Sequence, residues 1–326
     1  MRRRQFIGWT AGSLLSFSSA RMAQAQSPVW APTKTVRILS APAGGIPDVA
    51  AWQLADKMAP QLQQPVIVEN RPGAGGIAMM EAIAKSAPDG HTVGIASFVE
   101  LVVNPWMFER LSYDPVRDFA PVTILFGSPL LLAAHPSVPA NTIAELIGMS
   151  RAKPGTLFYG TSGAARPPHF YGERLKSMTG ILMTHVPYKG GALLVAAMSS
   201  GEVPIGLEGA AALLAHVKAG KLKPLAVTGE TRVAALPAVP TFAESGIEGM
   251  GMPWVGIVAP AGTPKAAVAR LQQEFARALA TPEIREANAL AGRTTLATAP
   301  EKFAEVIRRE LPEWRSVIKS AGIKPE

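Results

Sequence analysis

The chain has 326 residues, 48% of them apolar, more than one ordinary core organises and enough for two α/β lobes. With no cysteine it can hold no disulfide, thiolate zinc site, iron–sulfur cluster or thiol nucleophile, and its five histidines (His91, His135, His169, His185, His216) form neither an i,i+4 pair nor an HExxH motif, so no metal is expected. The net charge is +8, and beyond the N-terminal Arg2–Arg4 run its basic residues are scattered, without a stripe or interleaved aromatics, which argues against nucleic acid and suits small anions.

The N-terminus reads as an export signal. Arg2, Arg3 and Arg4 precede Gln5-Phe6-Ile7, a mildly apolar run follows over 7–20, and Ala23-Gln24-Ala25 fits an A-x-A cleavage site. The R-R-x-F-I pattern resembles a twin-arginine signal, with an ordinary secretory signal as the alternative. Residues 1–25 are expected to be removed, leaving a periplasmic protein that starts near Gln26. Losing four arginines lowers Lys+Arg from 32 to 28 against 24 acids, a net +4. No later stretch reaches the roughly 20 uncharged apolar residues of a membrane span.

Strands and helices then alternate. A strand over 36–40 leads through a Gly/Pro turn at 41–47 into a helix reaching Met58. A strand over 65–69, a Gly-rich turn at 71–76, a helix over 77–87 and a strand over 92–97 follow. Residues 104–112 read as a short helix or turn, and 122–134 as an apolar run broken by Gly127-Ser128-Pro129. A helix over 142–151 precedes a strand at 157–160, a special loop at 161–168 and a helix over 168–178. Strands at 183–186, 203–207, 225–228 and 254–259 interleave with helices at 192–199 and 210–218, and helices at 264–279, 282–291 and 300–321 close the chain. The pattern is that of parallel-sheet α/β lobes.

Strand, Gly loop and helix occur in that order at 36–58 and again at 157–178. In the first copy Gly44 and Gly45 can adopt positive φ, and Pro47 and Asp48 suit a helix start. Unpaired N–H groups at the positive end of a helix dipole, placed at the carboxyl end of a strand, make a ready anion site. Two such loops on separate lobes would face each other across a cleft that closes by hinge motion. The run Gly73-Ala74-Gly75-Gly76-Ile77-Ala78 also fits the dinucleotide pattern G-x-G-x-x-A, so a periplasmic nicotinamide-dependent oxidoreductase is the alternative. Against it, Arg71-Pro72 separates the glycines from the strand, and the next strand ends in Ser97 rather than a ribose-binding acid. No G-x-S-x-G, no paired carboxylates and no repeats are present, so neither an enzyme nor a scaffold is expected, and no cofactor.

Seven runs carry a family likeness: PVIVENRPGAGG (65–76), APDGHT (87–92), SYDPVRDFAPV (112–122), HVPYKG (185–190), HVKAGKLKPLAVT (216–228), LPAVPTFAESG (236–246) and VAPAGTPK (258–265). Together they resemble the substrate-binding proteins of tripartite tricarboxylate transporters, also called Bug receptors, over essentially the whole mature chain. The resemblance implies a type II periplasmic binding-protein fold, two α/β lobes with a ligand cleft between them. It also implies a non-catalytic role, a small organic acid as ligand, and the membrane subunits of a tripartite transporter or a sensor protein as partner, with the receptor a monomer. Residues 26–124 with 228–326 form the first expected lobe and 125–227 the second.

By the same resemblance, the first ligand loop matches Pro42, Ala43, Gly44, Gly45 and Asp48; the second matches Ser97, Asn104 and Pro105; the third matches Thr161, Ser162, Gly163 and His169. The chain departs from the family at Trp52, where Arg is usual, at Phe98-Val99-Glu100-Leu101, which is bulkier and acidic, at Arg166, where Thr or Ser is usual, and at Glu208, where Asp is frequent. Asp48 is read as a ligand contact or an N-cap. Arg166 is read as a bidentate carboxylate clamp or a solvated side chain, and His169 as a ligand donor or a loop support. Glu208 would bind a ligand amine or cap the helix at 210–218. Phe98 and Trp254 would wall the pocket or pack in the core.

Overall fold

The computed structural model describes residues 30–41 and 43–323, so the expected export signal and Pro42 lie outside the described residues. The chain runs β1 (Val36–Ser40), α1 (Ile46–Leu62), β2 (Val66–Asn70), α2 (Ile77–Ala84), β3 (Thr92–Ser97), α3 (Asn104–Met107), β4 (Phe119–Gly127) and β5 (Leu130–Ala134). It continues with α4 (Ile143–Ala152), β6 (Leu157–Thr161), α5 (Pro167–Thr179), β7 (Met183–Pro187), α6 (Gly191–Ser200), β8 (Ile205–Gly209), α7 (Ala210–Lys218) and β9 (Lys223–Val227). It ends with β10 (Trp254–Pro260), α8 (Lys265–Leu279), α9 (Pro282–Leu290), β11 (Thr294–Thr295) and α10 (Pro300–Ala321).

Two sheets result, ordered β11-β4-β10-β3-β1-β2 and β7-β6-β8-β5-β9. Their helices cover the faces and bury near-continuous Val, Ile and Leu runs, as sheets buried on both faces require. The parallel pattern holds for β2-β1-β3 and β7-β6-β8. The pattern breaks at β5, antiparallel to β8 and β9, and at β10, antiparallel to β3 and β4. These are the two strands the chain makes on first arriving from the other lobe. It enters each sheet at the waist, where the parallel strands end, and so runs against them. The waist is stitched by Ser128 N–H donating to Pro253 O at 2.7 Å, and by Leu130 N–H donating to the buried Thr228 hydroxyl at 2.8 Å. The carboxyl ends of the parallel strands, and the loops that follow them, therefore face the space between the lobes.

α10 spans both lobes. Phe303, Ile307, Glu310, Trp314 and Val317 recur at helical spacing on its buried face. Phe303 lies 5.2 Å from the Trp254 ring in the first lobe, and Trp314 lies 5.0 Å from the Tyr171 ring on α5 of the second. One apolar cluster thus runs from Met79 and Met80 through Phe98 and Trp314 to Phe170 and Ile205.

Candidate functional site

A cleft of about 480 Å³ lies where four loops converge. Its lining comes from the β1–α1 loop (Ala41, Gly45, Pro47), the β2–α2 loop (Gly73, Gly75, Gly76) and the end of β3 with the turn after it (Ser97, Val99, Glu100). The β6–α5 loop of the second lobe supplies Ala165, Arg166 and Pro167.

In the first loop Gly44 takes φ +79° and Ala43 is exposed. Asp48 is neither free in the cleft nor the N-cap, which is Gly45 with no side-chain cap. It is 5% exposed and reaches back along the helix to accept the Gly44 N–H at 2.9 Å, while its other oxygen accepts from Asn70 Nδ2. The arrangement works like the returning arm of a capping box. Asn70 Nδ2 also bonds Ala41 O at 3.1 Å, tying the loop to the end of β2. Pro47 carries no N–H, so the open donors of the first turn are Ile46 and Asp48.

The second loop has three glycines at positive φ: Gly73 (+148°), Gly75 (+62°) and Gly76 (+84°). Asn104 Nδ2 holds Gly75 O at 2.9 Å, and a Cβ on Gly76 would come within 2.7 Å of Glu100 Oε1. A carboxylate therefore stands against the Gly turn where a dinucleotide would need to bring its pyrophosphate, and the oxidoreductase alternative is not supported.

β3 continues past Ser97 into a π-helical turn, Val99–Val103, before α3. Such turns re-aim side chains and concentrate at functional sites. Here Phe98 is 1% exposed and packs against Phe170, Tyr171 and Trp314 at ring distances of 6.4, 5.8 and 5.6 Å. Phe98 therefore joins the lobes on the core side, and Glu100 takes the place facing the cleft. Ser97 donates both its N–H (2.8 Å) and its hydroxyl to Glu100 Oε2. Burial pushes the Glu100 carboxyl above its ordinary range, with the Ser97 bonds pulling the other way. Trp254 is also core: it is 4% exposed, and its indole N–H donates to Glu310 at 3.0 Å.

The second-lobe loop is built from within. Thr161 is fully buried; its hydroxyl donates to Gly163 O at 3.0 Å and meets His185 Nε2 at 2.7 Å. His185 stacks on His169 at 3.8 Å. Burial lowers both imidazoles, His185 to about 3 with His169 and Lys176 adding to the fall, so both are neutral near pH 7. His169 Nδ1 accepts the Ala165 N–H at 3.1 Å, holding Ala165 at φ +50°, a left-handed conformation costly for a residue with a Cβ. Glu208 accepts from Ser162 N at 3.2 Å and Gly209 N at 2.9 Å, so it braces the loop rather than reaching for solvent.

Arg166 is the N-cap of α5, exposed, with its stem folded over Gly163. Among the described residues its guanidinium has no ion-pair partner. Pro167 and Pro168 remove two N–H donors from the first turn of α5. A helix end that would present backbone donors presents a guanidinium instead. Ser162, Gly163 and Arg166 also line a groove continuing to Lys189 and Gly190.

The structure thus brings Gly45, Ser97 and Arg166 to one cleft, puts Asp48, Thr161, His169 and Glu208 behind it as supports, and puts Phe98 and Trp254 in the core. Sequence reasoning missed Glu100, Asn70 and His185 as parts of the site. Glu100 was visible as an acid within a loop expected to be small and polar; Asn70 and His185 carried no local signal.

The sequence profile of the Tripartite tricarboxylate transporter family receptor matches residues 50–323. The chain belongs to this receptor family. It is 33% identical over 304 residues to Protein BugT of Bordetella pertussis, covering 91% of this chain and 93% of that one. Among solved structures, a protein from R. palustris with adipate is 31% identical with a TM-score of 0.70, covering 90% of this chain and 99% of that one. MatC from Rhodopseudomonas palustris with bound malate is 28% identical with a TM-score of 0.67, covering 88% and 99%. The two-lobed receptor architecture and the family expected from the sequence are those found.

Proposed function

We propose that the chain is a solute-binding receptor that captures a small carboxylated organic acid between its lobes and delivers it to a membrane transporter or a sensor. The observation that carries this reading is one cleft flanked by the N-termini of α1 and α5 from opposite lobes, with Arg166 at the second having no ion-pair partner among the described residues. Charge-assisted hydrogen bonds contribute about 1.5–3 kcal/mol each. Four of them total about 6–12 kcal/mol, the scale of the roughly 8 kcal/mol of a micromolar complex, with only the upper part of that range leaving a margin for ordering and desolvation. Bonds made from both lobes at once favour the closed state, which is what a transporter would read. Relatives holding adipate and malate support a carboxylate as the ligand.

The reading includes a periplasmic location after removal of a twin-arginine-like signal, a monomeric receptor, and lobes divided near residues 124 and 228. It needs no chemistry at the site. No helix among the described residues is long and apolar enough to cross a membrane.

The test is native mass spectrometry of the mature protein, as purified and then with a panel of carboxylic acids and nicotinamide dinucleotides, with thermal shifts alongside. An acid adduct with a matching rise in Tm is the expected result. Binding of a dinucleotide with no response to any acid overturns the reading.

A further inference from the structure

The acids around the cleft differ in what their oxygens are bound to. Asp48 has one oxygen on the Gly44 N–H and the other on Asn70. Glu208 has one on Ser162 N and the other on Gly209 N. Glu100 is different. The two donors it receives from another described residue, the Ser97 N–H and hydroxyl, both go to Oε2, and its own backbone N–H also bonds the carboxylate. The Ser97 hydroxyl in turn accepts the Val99 N–H at 3.2 Å, so its single proton is committed to Glu100. Oε1 is left beside Gly76, whose missing Cβ makes room for it.

No described Lys, Arg or His forms an ion pair with Glu100. Arg166, which lines the same cleft, belongs to the other lobe and has no ion-pair partner among the described residues. The cleft thus presents a carboxylate oxygen with no donor from another described residue on one wall, and on the other a guanidinium with no ion-pair partner among the described residues. Glu100 is the costlier of the two, because its carboxylate is partly withdrawn from water while Arg166 is exposed. A plain dicarboxylate would satisfy Arg166 and the helix ends but would bring a like charge toward Glu100. A ligand with an N–H donor satisfies both walls. Burial of Glu100 disfavours its charge, and a ligand ammonium beside it would favour that charge.

We propose that Glu100 selects for a carboxylic acid that also carries an amine, with the carboxylate toward Arg166 and the N-termini of α1 and α5 and the ammonium on Glu100 Oε1. The inference rests on the receptor reading above and narrows its ligand class. Glu100 is thereby a specificity residue.

The experiment is isothermal titration of the mature protein with matched pairs that differ by one amine: succinate and aspartate, glutarate and glutamate, adipate and 2-aminoadipate. The same pairs are then run on Glu100→Gln, which keeps the acceptor for Ser97 but removes the charge. The amino member of at least one pair should bind about tenfold or more tightly than its partner, the size of one charge-assisted hydrogen bond. Glu100→Gln should abolish that difference. If unsubstituted acids bind as tightly as their amino partners, or the preference survives in Glu100→Gln, the proposal is overturned while the receptor reading stands. If no acid of either kind binds, both fall. The wild-type comparison decides on its own should the variant fail to fold.

Discussion

In the proposed receptor, Arg166 is the residue on which ligand capture would most depend, because α5 opens with two prolines and has few backbone donors to offer. Arg166→Ala should weaken carboxylate binding at least about tenfold by calorimetry with little change in Tm, since the side chain is exposed and unpaired. An unchanged Kd would remove it from the site. His169 and His185 act at one remove, as a stacked neutral pair holding Ala165 and Thr161. For His185 the linkage sign follows from its folded value of about 3. An unfolded chain binds a proton at this imidazole below about pH 6.5, and the folded protein does not. The stabilising contribution is therefore whole above about pH 6.5 and is lost as pH falls from there toward 3; His169 is shifted in the same direction. Thermal unfolding across this range should show Tm falling on acidification, and less steeply in His185→Gln. An equal slope in the variant would show that other groups dominate.

At the level of elements, the cleft wall is a Gly turn set against a π-helical turn. The run that resembles a dinucleotide fingerprint is needed for another reason: Gly76 adopts φ +84° and leaves 2.7 Å between an added Cβ and Glu100 Oε1. Gly76→Ala would strain the backbone and push Glu100 aside. It should lower stability by about 1–3 kcal/mol in urea unfolding and weaken ligand binding as well. Full-strength binding in this variant would mean that Glu100 does not shape the cleft. The π turn belongs to the same scale. By sending Phe98 inward and Glu100 to the cleft it settles Phe98 as core rather than pocket wall and gives the cleft an acid to which the sequence assigned no role.

Across the whole molecule, α10 links the lobes. It rests on β4 and Trp254 in the first lobe, and on α5 its Glu313 pairs with Arg174 at 2.6 Å while the Arg174 guanidinium stacks over Trp314 at 4.9 Å. Because Glu313 is partly exposed, the ion pair contributes little by itself. The apolar contact of Trp314 with Phe98, Tyr171 and Phe170 is the larger attachment. Trp314→Ala leaves a cavity between the lobes and should cost about 3–5 kcal/mol in denaturant unfolding. A cost below about 1 kcal/mol would mean the lobes hold together without it.

Local periodicity and turn chemistry were enough to determine most strands and helices and the Gly loops, because burial of one face imposes a pattern that each segment carries within itself; the receptor family was legible through the likeness of seven sequence runs, not through periodicity. The two-residue β11 and the 98–103 turn escaped for the same reason: neither is long enough to show a period. Tertiary structure alone decided the direction of β5 and β10, which depends on the edge at which the chain enters a sheet. It alone decided that Asp48 meets Asn70 and that Thr161 meets His185, partners 22 and 24 residues away. It alone placed Trp254 against Phe303 and Glu310, and Glu100 rather than Phe98 in the cleft. A side chain in a loop takes its direction from the backbone of its turn and from the elements folded over it, and neither is encoded in its immediate neighbours.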